Sequence, residues 1–136
     1  MRIVLDTNVV VSGLLNEAGV PAQVLDLCIA RTIDLVVDAR IVAEHEEVLR
    51  RPELDLDPGG ISECLAVLRY AEHVVGVPLP LTFRDPADLA FIEVAVASGA
   101  DAIVTGNARH FRPHEGKLDV AVLTPKQLLD RVATGA

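Results

Sequence analysis

Short apolar runs that stop abruptly on polar residues recur along the chain. Ile3-Val4-Leu5 ends on Asp6-Thr7-Asn8 before Val9-Val10-Val11 resumes the apolar pattern. A run this short, bounded by polar residues, predicts a buried strand of a parallel sheet. Such strands are covered on both faces and so read as continuous Val, Ile and Leu rather than as alternation. The same pattern predicts strands over Asp34–Asp38, Ala102–Thr105 and Asp119–Leu123, with a short one at Val74–Val77.

Helical segments lie between them. Asn8 to Asn16 predicts a short helix starting just past Asp6, and Pro21 suits the first turn of a second that runs to Ala30. Within Ala39–Arg51, residues Ile41, Val42, Val48 and Leu49 recur at helical spacing opposite a Glu-rich side, and Pro52 closes the segment. Leu54–Gly60 reads as a loop, Ile61–His73 as a fourth helix and Arg109–Lys117 as a loop. Asp85 fits an N-cap and Pro86 the first position of a helix through Ser98, apolar on most sides and ended by Gly99. Thr124-Pro125 opens a last helix to about Val132. Strands alternating with helices predict an α/β fold: one domain over residues 1–136, a three-layer α/β/α sandwich around a central parallel sheet.

Composition agrees with that architecture and adds one tension. The 136 residues suffice to bury roughly two-thirds of the unfolded surface, and 51% are apolar, with few aromatics. The net charge is −8, which disfavours a nucleic-acid partner because phosphate binding wants a basic face. That exclusion lapses if several carboxylates converge on a bound cation, since the ion then supplies the local positive charge. Cys28 and Cys64 share no motif spacing and read as reduced core residues. No apolar run approaches about 18 residues, so the expectation is a cytoplasmic protein without a membrane partner.

Candidate chemistry gathers where the strands end. Asp6-Thr7-Asn8, Asp38 and Thr105-Gly106-Asn107 each follow a predicted strand. In a parallel sheet these carboxyl ends share one edge, where ligands of open α/β sheets bind. Asp6 taken alone serves equally well as the cap of the next helix. Glu44, six residues past the second strand, joins the cluster from a helix, as do Asp85 and Asp88 from the first turn of another. Carboxylates this close would raise one another's pKa unless a divalent cation neutralised them, and oxygen-only donors suit Mg2+ or Mn2+. Such a site hydrolyses phosphate esters by activating a water and stabilising the leaving oxygen.

Together, Leu5-Asp-Thr-Asn-Val-Val10, Ala43-Glu-His-Glu-Glu-Val-Leu-Arg-Arg-Pro52, Arg84-Asp-Pro-Ala-Asp88 and Ala100-Asp-Ala-Ile-Val-Thr-Gly-Asn107 resemble a PIN domain. Within that family the chain is similar to the VapC-like toxin components of bacterial toxin–antitoxin systems. The resemblance implies a Mg2+- or Mn2+-dependent endoribonuclease that leaves 3′-OH and 5′-phosphate ends. It also implies a cognate antitoxin protein as inhibitor and a homodimer. It assigns catalysis and metal ligation to Asp6, Glu44 and Asp88, with Asp85 as a further ligand or only a helix cap. Glu47, three residues beyond Glu44, is the competing second acid. Asn107 stands where the family commonly has an acid, so a second ion should bind more weakly. Asn8 and Thr105 resemble supporting groups that hydrogen-bond the ligating carboxylates or the attacking water.

Other readings follow from the same residues. A dehalogenase-like phosphatase also ends its first strand on Asp but needs a second Asp two residues on, where Asn8 cannot shuttle a proton. A catalytically weak or silent domain that binds RNA or protein is the alternative that Asn107 and the acidic charge favour. Glu44, Glu46 and Glu47 also suit a solvated helix face. His110 and His114 read as surface or RNA-contacting residues, and Asp101 as structural. Arg50, Arg51, Arg84, Arg109, Arg112 and Lys117 are candidates to meet phosphates, whereas Arg31 and Arg69 read as plain surface.

Overall fold

In the computed structural model, which describes residues 1–135, five parallel strands form one sheet. β1 is Arg2–Leu5, β2 Asp34–Val37, β3 Glu72–His73, β4 Ala102–Val104 and β5 Ala121–Leu123, in the order β3-β2-β1-β4-β5. Ile3 pairs with Leu35 on one side and with Ala102 on the other. Ile3, Val4, Val36 and Ala102–Val104 are fully buried, as a sheet covered on both faces requires. The helices that cover it are α1 (Thr7–Leu15), α2 (Val20–Ile29), α3 (Ala39–Leu49), α4 (Pro58–Tyr70), α5 (Pro86–Ser98), α6 (Arg112–Leu118) and α7 (Pro125–Thr134). The fold is the expected α/β/α sandwich, and among the described residues no helix is long and apolar enough to cross a membrane.

Local signals explain most boundaries. Asp38 caps α3 by accepting from the Ile41 N–H at 2.9 Å, and Thr124 and Gln127 form a reciprocal capping box on α7. Gly99, at φ 66°, ends α5 in the left-handed conformation that glycine adopts without a Cβ penalty. Buried residues run from Ala90 to Ala95 in α5, which packs against β1, β2 and β4. Cys28 and Cys64 are free and buried.

Four expectations are corrected. The fourth helix begins at Pro58, not Ile61, because Asp57 caps it by accepting from Gly60 N–H at 3.0 Å and Pro58 occupies its first turn. It stops at Tyr70, and the edge strand is Glu72–His73 rather than Val74–Val77; only Val74 N–H continues the pairing, to Val37 O at 2.9 Å. The stretch expected as a loop over 109–117 holds a 3-10 turn at Ala108–His110 and then α6. Tertiary bonds fasten α6 from outside its own sequence: Arg112 donates to Val122 O at 2.9 Å, and Glu115 accepts from Val122 N–H. The last strand accordingly shortens to Ala121–Leu123, past an Asp119 held at φ 53°.

Asp38 does not join Asp6. Its carboxylate faces Arg40 at 2.7 Å, and the same guanidinium reaches buried Glu93 on α5, also at 2.7 Å. The other Glu93 oxygen accepts from Leu79 N–H at 2.8 Å, which ties the 74–83 segment down onto α5. Truncating Glu93 removes the acceptor of Leu79 N–H and leaves half-exposed Arg40 with Asp38 alone. Glu93→Ala is expected to lower unfolding free energy by about 2 kcal/mol in urea titrations. Lys126→Ala, which removes an exposed pair with Asp130, is expected to cost under about 0.5 kcal/mol. Equal, small losses in both would contradict this account of the cluster.

Candidate functional site

The strand order reverses at β1, whose two neighbours β2 and β4 lead in opposite directions across the sheet. Such a switch point opens a crevice at the strand carboxyl ends. Asp6 follows β1 and Thr105 follows β4, so the two stand on either side of that seam. Asp6 N–H donates to Val104 O at 2.9 Å, and the Thr105 hydroxyl donates to Asp6 Oδ2 at 2.7 Å. The Thr105 oxygen in turn accepts from Asn107 N–H at 3.0 Å. Asn8 Oδ1 accepts from Gly106 N–H at 3.2 Å, lacing the two turns together. Asp6 is also the N-cap of α1, through a long bond from Asn8 N–H at 3.4 Å. Cap and site residue are therefore one side chain.

An open cavity of about 410 Å3 lies over this seam. Asp6, Glu44, Asp85 and Asp88 line it, with Asn107 and His110 at its wall. Glu44 projects from α3, while Asp85 and Asp88 come from the start of α5. Asp85 Oδ1 also accepts from Ala87 N–H at 3.0 Å, so it caps α5 as well as facing the cavity. Glu47 does not line the cavity; it is exposed and paired with Arg51 at 2.7 Å.

The electrostatics record the crowding. Burial, above all, pushes the Asp6 carboxyl up to about 6. The Thr105 and Asn8 bonds pull it down, and the charges of Asp88 and Glu44 push it further up. Asp88 is raised too, by its burial and then by Asp85 and Glu44, against the opposing pull of His110. The His110 Nδ1 stands 3.6 Å from Asp88 Oδ2. Among the described residues, no three His, Cys, Asp or Glu side chains already form a ligand group for an ion. The donor set nevertheless suits a hard cation, being all oxygen and mutually repulsive.

Two supporting groups were not foreseen from sequence. The Thr7 hydroxyl donates to Glu44 Oε2 at 2.6 Å and lies 2.8 Å from His45 Nδ1. His45 is 2% exposed, and burial pushes its pKa down to about 4, so it is neutral. A hydroxyl has one proton to give, so Thr7 passes it to Glu44 and accepts from His45 Nδ1–H. His45 Nε2 is then left without a partner among the described residues. The signal was available: Ile41, His45 and Leu49 recur every fourth residue, which places His45 on the buried stripe of α3. The Asn8 side chain, expected to serve a carboxylate or the attacking water, lines the cavity and accepts from Gly106 N–H. Arg112 is committed to Glu115 and Val122 O rather than free for phosphates, and His114 lies against Phe83, their ring centres 4.8 Å apart.

Known proteins share this arrangement to different depths. Residues 2–109 match the PIN domain family. An uncharacterized protein of Methanocaldococcus jannaschii, MJ1680, is 32% identical over 111 residues, which span 79% of this chain and 71% of that one. In three dimensions the chain resembles a chain in the crystal structure of VapBC2 from Rickettsia felis bound to a DNA fragment from their promoter. That match has a TM-score of 0.57 and 17% identity, and covers 91% of this chain and 98% of the other. At that identity the likeness is one of fold. On the extent of the family match and its 32% identical relative, the chain belongs to the PIN domain family.

Proposed function

We propose that the protein is a divalent-metal-dependent endoribonuclease acting as the toxin of a type II toxin–antitoxin pair. The observation that carries this reading is the convergence of Asp6, Glu44, Asp85 and Asp88 on one cavity at the switch point of the sheet. Family membership supports the nuclease chemistry, and the fold shared with VapBC2 supports a cognate antitoxin as protein partner. RNA is the substrate, and a second copy of the chain is a further partner.

Asp6, Glu44 and Asp88 would hold Mg2+ or Mn2+, with Asp85 and the Asn107 side-chain oxygen as additional donors. Bound there, the ion supplies positive charge for the phosphodiester and lowers the pKa of an attacking water. The chain's own residues fix the frame for that event. Thr105 holds one Asp6 oxygen by a hydrogen bond, and the long bond from Asn8 N–H reaches the other. Thr7 orients Glu44, and neutral His45 orients Thr7 without adding a charge. Asn107 contributes an oxygen but no charge, which limits the site's hold on a second ion.

In RNA cleavage with Mn2+, Asp6→Asn and Glu44→Gln are expected to lose at least about 100-fold in rate, the scale of losing a ligand to an activating metal. Glu47→Gln should stay within about twofold, and EDTA should stop the reaction. Equal activity in wild type and Asp6→Asn, or none in either, would overturn the reading. Asp6 must be ionised to ligate, and its carboxyl titrates at about 6. At limiting Mn2+ the rate should therefore rise as pH increases from 5 to 7. The inflection should move to lower pH as Mn2+ is increased, because the ion competes with the proton. A flat profile over that range at limiting Mn2+ would contradict the assignment of Asp6.

A further inference from the structure

A second groove of about 290 Å3 opens directly beside the acidic cavity. It shares Asp85, Asp88 and His110 with that cavity and adds Phe83, Arg84 and His114. The two compartments adjoin across these shared residues, and the lining changes from carboxylates to aromatic rings and a cation. The chain has only three Phe residues. Phe91 and Phe111 are fully buried, whereas Phe83 keeps part of its surface, wedged between Phe111 and His114 at ring-centre distances of 5.7 and 4.8 Å. His114 Nδ1 is buried without a hydrogen-bond partner among the described residues. Arg84 is exposed and makes no ion pair with them.

We propose that this groove is a nucleotide subsite, in which Phe83 and His114 take the base of a nucleotide next to the scissile phosphate and Arg84 takes a backbone phosphate. The proposal rests on the nuclease reading and names how its single-stranded substrate is held. Phe83 lines the groove, keeps part of its surface and meets His114 at a 45° tilt, so it offers a ring on which any base can stack. A guanidinium neutralises phosphate charge that the rest of this acidic surface would repel. The groove adjoins the acids proposed to act on the neighbouring phosphate.

Fluorescence anisotropy with a labelled single-stranded RNA pentamer tests this, using Ca2+ to neutralise the carboxylates. The pentamer is compared with a version carrying a central abasic residue. Phe83→Leu is expected to weaken the intact pentamer about tenfold and to leave the abasic one unchanged. Arg84→Ala should weaken both about equally and make the salt dependence shallower by about 0.7 in log–log slope. Arg84 is exposed, so this arm stands even if Phe83→Leu fails to fold. Equal affinities of all three proteins for both pentamers would overturn the subsite, and that is the result expected if the groove takes a protein chain instead. Failure of the wild type to bind the pentamer would overturn it as well. Cleavage of a longer RNA in Mn2+, measured in parallel, judges the nuclease reading separately. Cutting with equal affinities rejects only the subsite, and selective binding without cutting rejects only the nuclease.

Discussion

The site depends on how one carboxyl group is held at the seam between β1 and β4. The chain reverses its direction of travel across the sheet there, and the crevice this opens is where Asp6 emerges. Thr105 secures it from the neighbouring strand, while backbone N–H groups fasten Asn8 to Gly106 and Asn107 to Thr105. Burial makes the ionised form expensive, with a carboxyl that titrates at about 6. Against an ordinary value of 3.8 this is a penalty on the order of 3 kcal/mol at neutral pH. The fold tolerates that penalty at a place where an ion can relieve it.

Two clusters of acids in this small domain show the contrast. Asp38 and Glu93 are as buried as Asp6, yet each is matched to the Arg40 guanidinium. Their cluster fastens α3, α5 and the 74–83 segment together. Asp6, Glu44, Asp85 and Asp88 repel one another across open space, opposed mainly by His110 beside Asp88. A balanced cluster holds the fold; the unbalanced one at the cavity is the one proposed to take a cation.

Much of this was written in short-range patterns. The apolar runs ending on Asp6 and Thr105 marked the two central strands, and Asp85-Pro86 marked the start of α5, because strand burial and helix capping are local effects. The edges were harder to read. Gly59 and Gly60 suggested a loop, although Asp57 and Pro58 carry a complete helix start. α6 is stabilised by Arg112 and Glu115 reaching Val122, contacts that no local pattern encodes. At the site, Glu44 is held by a hydroxyl from α1 reaching α3, a contact across 37 residues that no local pattern encodes. Asp38 followed the same strand-end rule as Asp6 but was claimed by Arg40, two residues on.

The proposed role of Asp6 is that of a buried carboxylate, only partly relieved by Thr105 and Asn8, that a cation would complete. Urea unfolding of wild type and Asp6→Asn, with and without Mn2+, tests it most directly, since stability needs no substrate. A raised carboxyl pKa favours the folded state below pH 3.8, and that advantage is lost as pH rises through about 6. The account predicts that without metal Asp6→Asn is more stable than wild type at pH 8, by about 2–3 kcal/mol, with the gap closing toward pH 4. Mn2+ should stabilise only the wild type and narrow or invert the gap. A less stable Asp6→Asn at pH 8, or equal stabilisation of both proteins by Mn2+, would contradict it.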